Sequence, residues 1–386
     1  MDRTTRIAVV GAGLGGMTAA GLLQAAGFTV SVYEQAAAFS RIGAGIHFSS
    51  NVMLVMRRLG IEQALSAIGL HPDAFVSRKW DTGEILFELP LDAGREAHYG
   101  AAYINVHRGD LHAVMETALT RGSLQFNKRL RALDDTGDVI RLEFDDGTQA
   151  EADLVVGADG VNSKVREFVV GHGRPQYTGQ IAHRAVFPSA LLKGLPIRAC
   201  TKWWGEGNHI LVYYMTQTRE EVYLVSSAPQ AEWNEMASFV PCDRDEFLSV
   251  FDGYHPELRQ VIEAAPEVTK WPVFARERIP CWHKNRIVLL GDACHAMKPY
   301  MAAGAAMAIQ DAAVLARCIG EIGRRWPAES FAWYEANRMP RVKKVQDISS
   351  QNIWLRQPVD PDWLFKYDAC QIPLVAPAAA APAPAP

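Results

Sequence analysis

The chain has 386 residues, 49% of them hydrophobic and 21% charged, an ordinary globular composition with length enough for two domains. A net charge of -4 argues against nucleic acid or an anionic membrane as partner, and no run of ~18 apolar residues suggests a spanning helix. Six cysteines are scattered without a C-x-x-C pair, so neither a disulfide framework nor a metal site is expected; with no signal-peptide pattern at the start, a cytoplasmic location is.

In chain order, residues 6–10 form a short β-rich run that ends at Gly11. Residues 17–26 follow as a helix with Leu22 and Leu23 on its apolar side, and residues 28–33 as a second strand closing at Glu34. Strand, glycine turn, helix, strand and acid within thirty-odd residues predict a βαβ unit. Residues 106–120 carry Leu111, Val114, Met115 and Leu119 at helical spacing. Strands are predicted over 139–144 and 149–156, flanking an Asp145-Asp146-Gly147 turn. Four β-rich runs follow, over 181–187, 202–204, 210–215 and 221–226, with the turn Gly205-Glu206-Gly207-Asn208 between two of them. They predict an antiparallel sheet, after which residues 271–290 return to the first domain.

The expected fold is therefore α/β: a discontinuous Rossmann-like nucleotide-binding domain, an inserted antiparallel β-sheet substrate domain, and C-terminal helices. The first occupies 1–75, 100–178 and 272–345; the inserted sheet, 76–99 and 179–271. A C-terminal segment covers 346–375, and a disordered Pro/Ala tail covers 376–386.

Three motifs carry chemistry. Gly11-x-Gly13-x-x-Gly16 follows a strand and opens a helix, the arrangement that lets backbone amides approach a pyrophosphate, and Glu34 is placed to accept from ribose hydroxyls. The run Gly157-Ala158-Asp159-Gly160 ends a buried strand, where Asp159 can bond a ribose or neighbouring backbone. Last comes Gly291-Asp292 after an apolar run, then a loop with Pro299-Tyr300 and a small-residue helix opening at Gly304-Ala305. There Asp292 can accept a ribitol hydroxyl or cap a helix, and bare amides can meet a flat ligand.

GAGLGG with Glu34, GADGVNSKVR and GDACHAMKPYMAAGAAMAIQD, in this order, resemble the class A flavoprotein monooxygenases, the p-hydroxybenzoate and salicylate hydroxylase family, over roughly residues 5–345. The resemblance implies FAD, held by Gly11, Gly13, Gly15 and Gly16, by Glu34 and Gln35, and by Arg108 near the pyrophosphate. Leu130 would meet the adenine through its backbone, Asp159 and Asp292 would bind sugar hydroxyls, and His47, Gly304 and Ala305 would lie at the isoalloxazine. It also implies NADH and dioxygen as co-substrates and a flavin hydroperoxide that an electron-rich ring attacks. Residues 41–47 (Arg41 to His47), and Lys202-Trp203-Trp204 followed by His209 and Tyr213-Tyr214, resemble members that decarboxylatively hydroxylate 6-hydroxynicotinate to 2,5-dihydroxypyridine. A salicylate-type benzenoid hydroxylase and a non-catalytic flavin-binding protein are the alternatives.

The chemistry needs a base for a ring hydroxyl, and histidine has the matching unperturbed pKa. His47, beyond the glycine-bearing loop, is expected as base or substrate partner. His209 and Tyr213 are four apart and share one strand face, with Cys200 upstream, and all three are expected to face a small aromatic or N-heteroaromatic acid. Tyr300 stands where relatives often carry histidine, and is expected at the substrate. Neither the choice between NADH and NADPH nor the oligomeric state is legible.

Overall fold

The computed structural model describes residues 5–40, 44–322 and 327–377. Arg41, Ile42 and Gly43 of the expected flavin-side loop, and the tail from residue 378, lie outside the described residues. A six-stranded sheet runs in the order His283–Lys284, Ile287–Leu289, Leu154–Gly157, Arg6–Val10, Thr29–Tyr33, Leu124–Gln125, parallel except at the first pair. Its central strands are almost wholly apolar, as strands covered on both faces must be. Helix Leu14–Ala25 packs on it and against the long helix Gly304–Glu321.

The second sheet has eight strands, in the order Val240–Pro241, Thr269–Ala275, Gln176–Pro188, Glu221–Pro229, His209–Tyr214, Cys200–Trp204, Ala74–Lys79, Ile85–Pro90. Its two faces do different work. Ile210, Val212 and Tyr214 alternate onto one face and pack with Trp203, Phe247, Phe251, Leu258 and Ile262 into a separate core beneath helices Arg244–Val250 and Pro256–Ala264. His209, Leu211 and Tyr213 alternate onto the other face, toward the parallel-sheet half of the molecule.

Several elements differ from expectation. Residues 149–156 are not one strand: Gln149–Ala152 pairs antiparallel with Ile140–Phe144 in a three-stranded sheet, and Leu154–Gly157 pairs parallel with Arg6–Val10. The break is at Asp153, whose carboxylate accepts from the Arg6 amide at 2.8 Å and from its guanidinium. The eight-stranded sheet is not wholly antiparallel, because Cys200–Trp204 lies parallel to Ala74–Lys79. Thr269–Ala275 pairs with Gln176–Pro188 and so belongs to this sheet; the chain rejoins the parallel sheet only at His283. The expected divisions at 75/76 and 271/272 thus fall inside strands. Residues 104–107 are a strand rather than the start of a helix, and the helix itself is Arg108–Glu116.

Candidate active site

A cavity of about 500 Å³ lies between the two sheets. On the parallel-sheet side it is walled by the openings of two helices. Helix Leu14–Ala25 begins at Gly13 and helix Gly304–Glu321 at Ala303, both without a side-chain cap. The first-turn amides are therefore free to face a ligand, and each helix end carries about half a positive charge.

The glycines divide by task. Gly11 has φ +100°, and a Cβ there would lie 2.4 Å from the Ala158 carbonyl oxygen; a Cβ on Gly16 would lie 2.0 Å from that of Gly11. These two are glycine because the fold itself closes on them. Gly13 and Gly304 line the cavity, yet a Cβ on either would meet no protein atom within 4 Å. Protein packing does not call for glycine there, whereas close approach of a ligand to bare backbone does.

Arg108 and Asp292 both line this cavity, and each is accessible in the structure. Burial and the neighbouring Arg184 lower the Arg108 pKa; burial raises that of Asp292, opposed by His295 and Arg108. The Asp292 turn is locked from behind. Asp311 accepts from the Gly291 amide at 3.1 Å, pairs with His295 at 2.5 Å, and pairs with the fully buried Arg338 at 2.7 Å. The groups present thus fit FAD: uncapped amides and an arginine for phosphates, a carboxylate for a sugar hydroxyl, and bare backbone for a flat ring.

His47 sits on strand Gly45–Phe48, antiparallel to Ile104–His107, and directly opposite Asn105. Its Nδ1 is 2.7 Å from the Asn105 Oδ1. The Asn105 amide nitrogen donates to the Tyr214 carbonyl at 3.3 Å, which fixes Oδ1 as the acceptor. Nδ1 therefore carries the proton, and Nε2 keeps its lone pair, buried without a partner among the described residues. Burial pushes the His47 pKa down to about 4, against the pull of Asn105. The expectation of a base near its unperturbed value is corrected accordingly: desolvation keeps His47 neutral.

Tyr213 packs beside it in a tilted contact, with ring centroids 4.1 Å apart and the planes at 42°. His209 and Tyr300 meet edge to face at 5.6 Å, and the Tyr300 hydroxyl is 3.5 Å from the Ser227 Oγ. Tyr213 faces the cavity and Tyr214 the opposite core, as period-two alternation requires.

Of the expected site residues, Gly13, Gly15, Gly16, His47, Arg108, His209, Tyr213, Asp292, Tyr300, Gly304 and Ala305 line the one cavity. The others stand apart from it. Cys200 is opposite Tyr213 but buried behind the lining. Asp159 spends its carboxylate on Ser163 Oγ and on the Lys164 and Val165 amides, as a helix-entry cap. Glu34 accepts from the Ala12 and Ala36 amides at 2.8 and 2.9 Å. Gln35 is exposed, and Leu130 is buried in the three-stranded sheet, close to where the Lys128 amide bonds the Glu34 carbonyl.

Sequence reasoning missed Asn105, Lys202, Arg184 and the C-terminal wall formed by Trp354, Leu355, Leu364 and Phe365. That wall is tied down by Asn51 Nδ2 donating to the Leu364 carbonyl at 2.7 Å and by Arg341 on the Trp363 and Leu364 carbonyls. Lys202 stands within the Lys202-Trp203-Trp204 stretch, a lone lysine in a β-rich run, without an expected binding role. Among the described residues no helix is long and apolar enough to cross a membrane.

Comparison with known proteins agrees with this geometry. The FAD binding domain family matches residues 4–349. The 6-hydroxynicotinate 3-monooxygenase of Bordetella bronchiseptica is 52% identical, over 97% of this chain and 98% of that one. The enzyme of the same name from Pseudomonas fluorescens is 49% identical, over 98% of each. Among solved structures, Klebsiella pneumoniae HpxO complexed with FAD and uric acid superposes with a TM-score of 0.79 at 26% identity, covering 92% of this chain and 90% of that one. A salicylate hydroxylase substrate complex gives 0.82 at 23% identity, covering 96% and 97%, a likeness of fold. The chain belongs to the FAD binding domain family and is an FAD-dependent monooxygenase of the aromatic-hydroxylase kind.

Proposed function

We propose that this enzyme decarboxylatively hydroxylates 6-hydroxynicotinate to 2,5-dihydroxypyridine, with NADH and dioxygen as co-substrates. The observation that carries the reading is the His47 Nε2 lone pair, held by Asn105 in a cavity that also receives both uncapped helix ends. Near-full-length identity of 52% and 49% to two enzymes of that name supports the substrate.

FAD, when bound, supplies the reducing equivalents taken from NADH and delivers one oxygen atom of dioxygen to the ring. Gly13, Gly15, Gly16, Arg108, Asp292, Gly304 and Ala305 would hold it from the cavity, with Gly11 shaping the turn. Glu34, Gln35, Leu130 and Asp159 would serve it from outside the cavity. The parallel-sheet half is then the FAD-binding part, and the eight-stranded sheet the substrate part.

The protein's own residues do the rest. A ring carbon becomes nucleophilic when the ring hydroxyl loses its proton, and His47, a lining residue of the cavity whose Nε2 keeps its lone pair, is the acceptor. The Asn105 oxygen holds the other ring nitrogen protonated, so that the lone pair stays on the substrate side. Tyr213 packs on the His47 ring and sets its plane. His209 and Tyr300 orient the ring and its carboxylate from the sheet and loop sides, with Cys200 backing Tyr213. The C-terminal wall excludes water. The six free cysteines suit a reducing, cytoplasmic setting.

Incubation with 6-hydroxynicotinate, NADH and dioxygen tests the reading, with salicylate as the competing substrate. Formation of 2,5-dihydroxypyridine from the first supports it; hydroxylation of salicylate alone supports a benzenoid hydroxylase instead.

A further inference from the structure

We propose that Lys202 is the counter-ion that selects a carboxylate-bearing substrate in this cavity, a binding role that rests on the aromatic-acid reading above. Lys202 lies on strand Cys200–Trp204, opposite Leu211, on the cavity face of the eight-stranded sheet. Its side chain is nearly enclosed, with the residue 5% exposed. Its ammonium has two neighbours, the Tyr300 carbonyl at 3.4 Å and the face of the Trp204 ring at 3.8 Å. Both are weak partners for a full charge. Among the described residues no carboxylate is within ion-pair distance of it.

A buried charge without an opposite charge is costly, and burial alone pulls the Lys202 pKa down to about 7. The groups around it reinforce the deficit. His209 is lowered by burial and by Lys202 itself. Arg356 lies 5.9 Å from the Trp204 ring. Tyr300, whose pKa is raised by burial, brings no negative charge near neutrality. The Asn352 side-chain oxygen is buried without a partner among the described residues, and its amide nitrogen is 3.4 Å from the His209 Nδ1. This corner therefore offers the Lys202 ammonium, with Arg356 beyond the Trp204 ring, several loosely held polar groups and, among the described residues, no anion paired with Lys202. A carboxylate supplies the missing charge and acceptor oxygens together; a neutral ring of the same shape supplies neither.

An ion pair stabilises the acid before its carbon dioxide departs, so Lys202 acts in recognition and its loss reads in KM more than in kcat. The test compares two ligands of the holoenzyme, 6-hydroxynicotinate and 2-hydroxypyridine, the second being the same ring without its carboxylate. Binding is read from the change in flavin absorbance in wild type, Lys202→Met and Lys202→Arg. Lys202→Met is expected to weaken 6-hydroxynicotinate on the order of 30-fold or more and to leave 2-hydroxypyridine within about threefold. Lys202→Arg should keep most of the preference.

A Lys202→Met enzyme that binds FAD and keeps the wild-type ratio of the two affinities overturns the proposal. Should that variant lose FAD, calorimetry on wild type and His209→Asn at pH 8 decides. Both are expected to take up a proton on binding 6-hydroxynicotinate and none on binding 2-hydroxypyridine; no uptake in His209→Asn overturns the assignment to Lys202. If wild type ignores 6-hydroxynicotinate but prefers salicylate to phenol through Lys202, the substrate reading fails and the inference stands.

Discussion

Gly45→Ala perturbs the site without replacing any side chain assigned to the substrate. Gly45 has no positive φ, so alanine brings no backbone strain; the obstacle is Tyr213. A Cβ at position 45 would lie 2.5 Å from the Tyr213 hydroxyl oxygen and 2.7 and 2.8 Å from two ring carbons. Ordinary contact begins near 3.4 Å, so either the phenol or strand Gly45–Phe48 must move by 3.4 − 2.5 = 0.9 Å. Tyr213 is buried and hemmed by His47 at 4.1 Å and Tyr223 at 5.2 Å, so its ring cannot swing into solvent. Overpacking of this kind costs about 1–3 kcal/mol of stability. A misplacement of about 1 Å at a reacting centre costs on the order of 100-fold in rate. The expected variant folds, binds FAD, unfolds a few degrees lower, and hydroxylates about 100-fold more slowly, with more NADH oxidised per product. The assay is NADH consumption against chromatographed product, alongside thermal unfolding. Wild-type kcat and melting temperature in Gly45→Ala would show that Tyr213 is not seated against Gly45, and the argument for its position would fall.

His47→Gln, His209→Ala and Tyr213→Phe are each expected to cut coupled hydroxylation while FAD stays bound, read as product per NADH; unaltered turnover in all three removes the site assignment. Asp311→Asn leaves the fully buried Arg338 without its carboxylate, and should cost about 3–5 kcal/mol by denaturant unfolding of the holoenzyme. A loss under about 1 kcal/mol contradicts the account of the Gly291 turn. Burial depresses His47, His112 and His183 from 6.5 to about 4. A depressed pKa means that the unfolded chain takes up protons first as pH falls. The stability from these groups is therefore complete above about pH 6.5 and drains away toward pH 4. Calorimetry should find the melting temperature falling across that window; a flat profile means these imidazoles are not buried as described.

Local rules made part of this legible. Gly11, Gly13 and Gly16 mark a strand-to-helix turn because the spacing itself encodes close approach, and the turn is where they place it. Period-two alternation was enough to separate Tyr213 from Tyr214, since a strand with two different faces must send neighbours opposite ways. What escaped is non-local. Asn105 matters only because strand pairing sets it across from His47, 58 residues earlier in the chain. Lys202 stands in the resemblance stretch with no role of its own, and its enclosure depends on Tyr300, 98 residues on, whose carbonyl meets its ammonium. Asp159 and Glu34 were read as sugar ligands, and their further partners, backbone amides at the two turns, are visible only in the fold. A single residue, Asp153, divides the apparent strand 149–156 between two sheets, because it bonds Arg6, 147 residues earlier.

The proposed reaction brings a proton acceptor and a flavin together in this cavity to put oxygen on a hydroxylated pyridine acid. Its most direct measurement is product analysis with 6-hydroxynicotinate, NADH and ¹⁸O₂. The account predicts 2,5-dihydroxypyridine carrying one labelled oxygen, formed about one per NADH by wild type and largely replaced by peroxide in His47→Gln. Unlabelled product, or NADH oxidation that the acid neither accelerates nor couples to product, would contradict it.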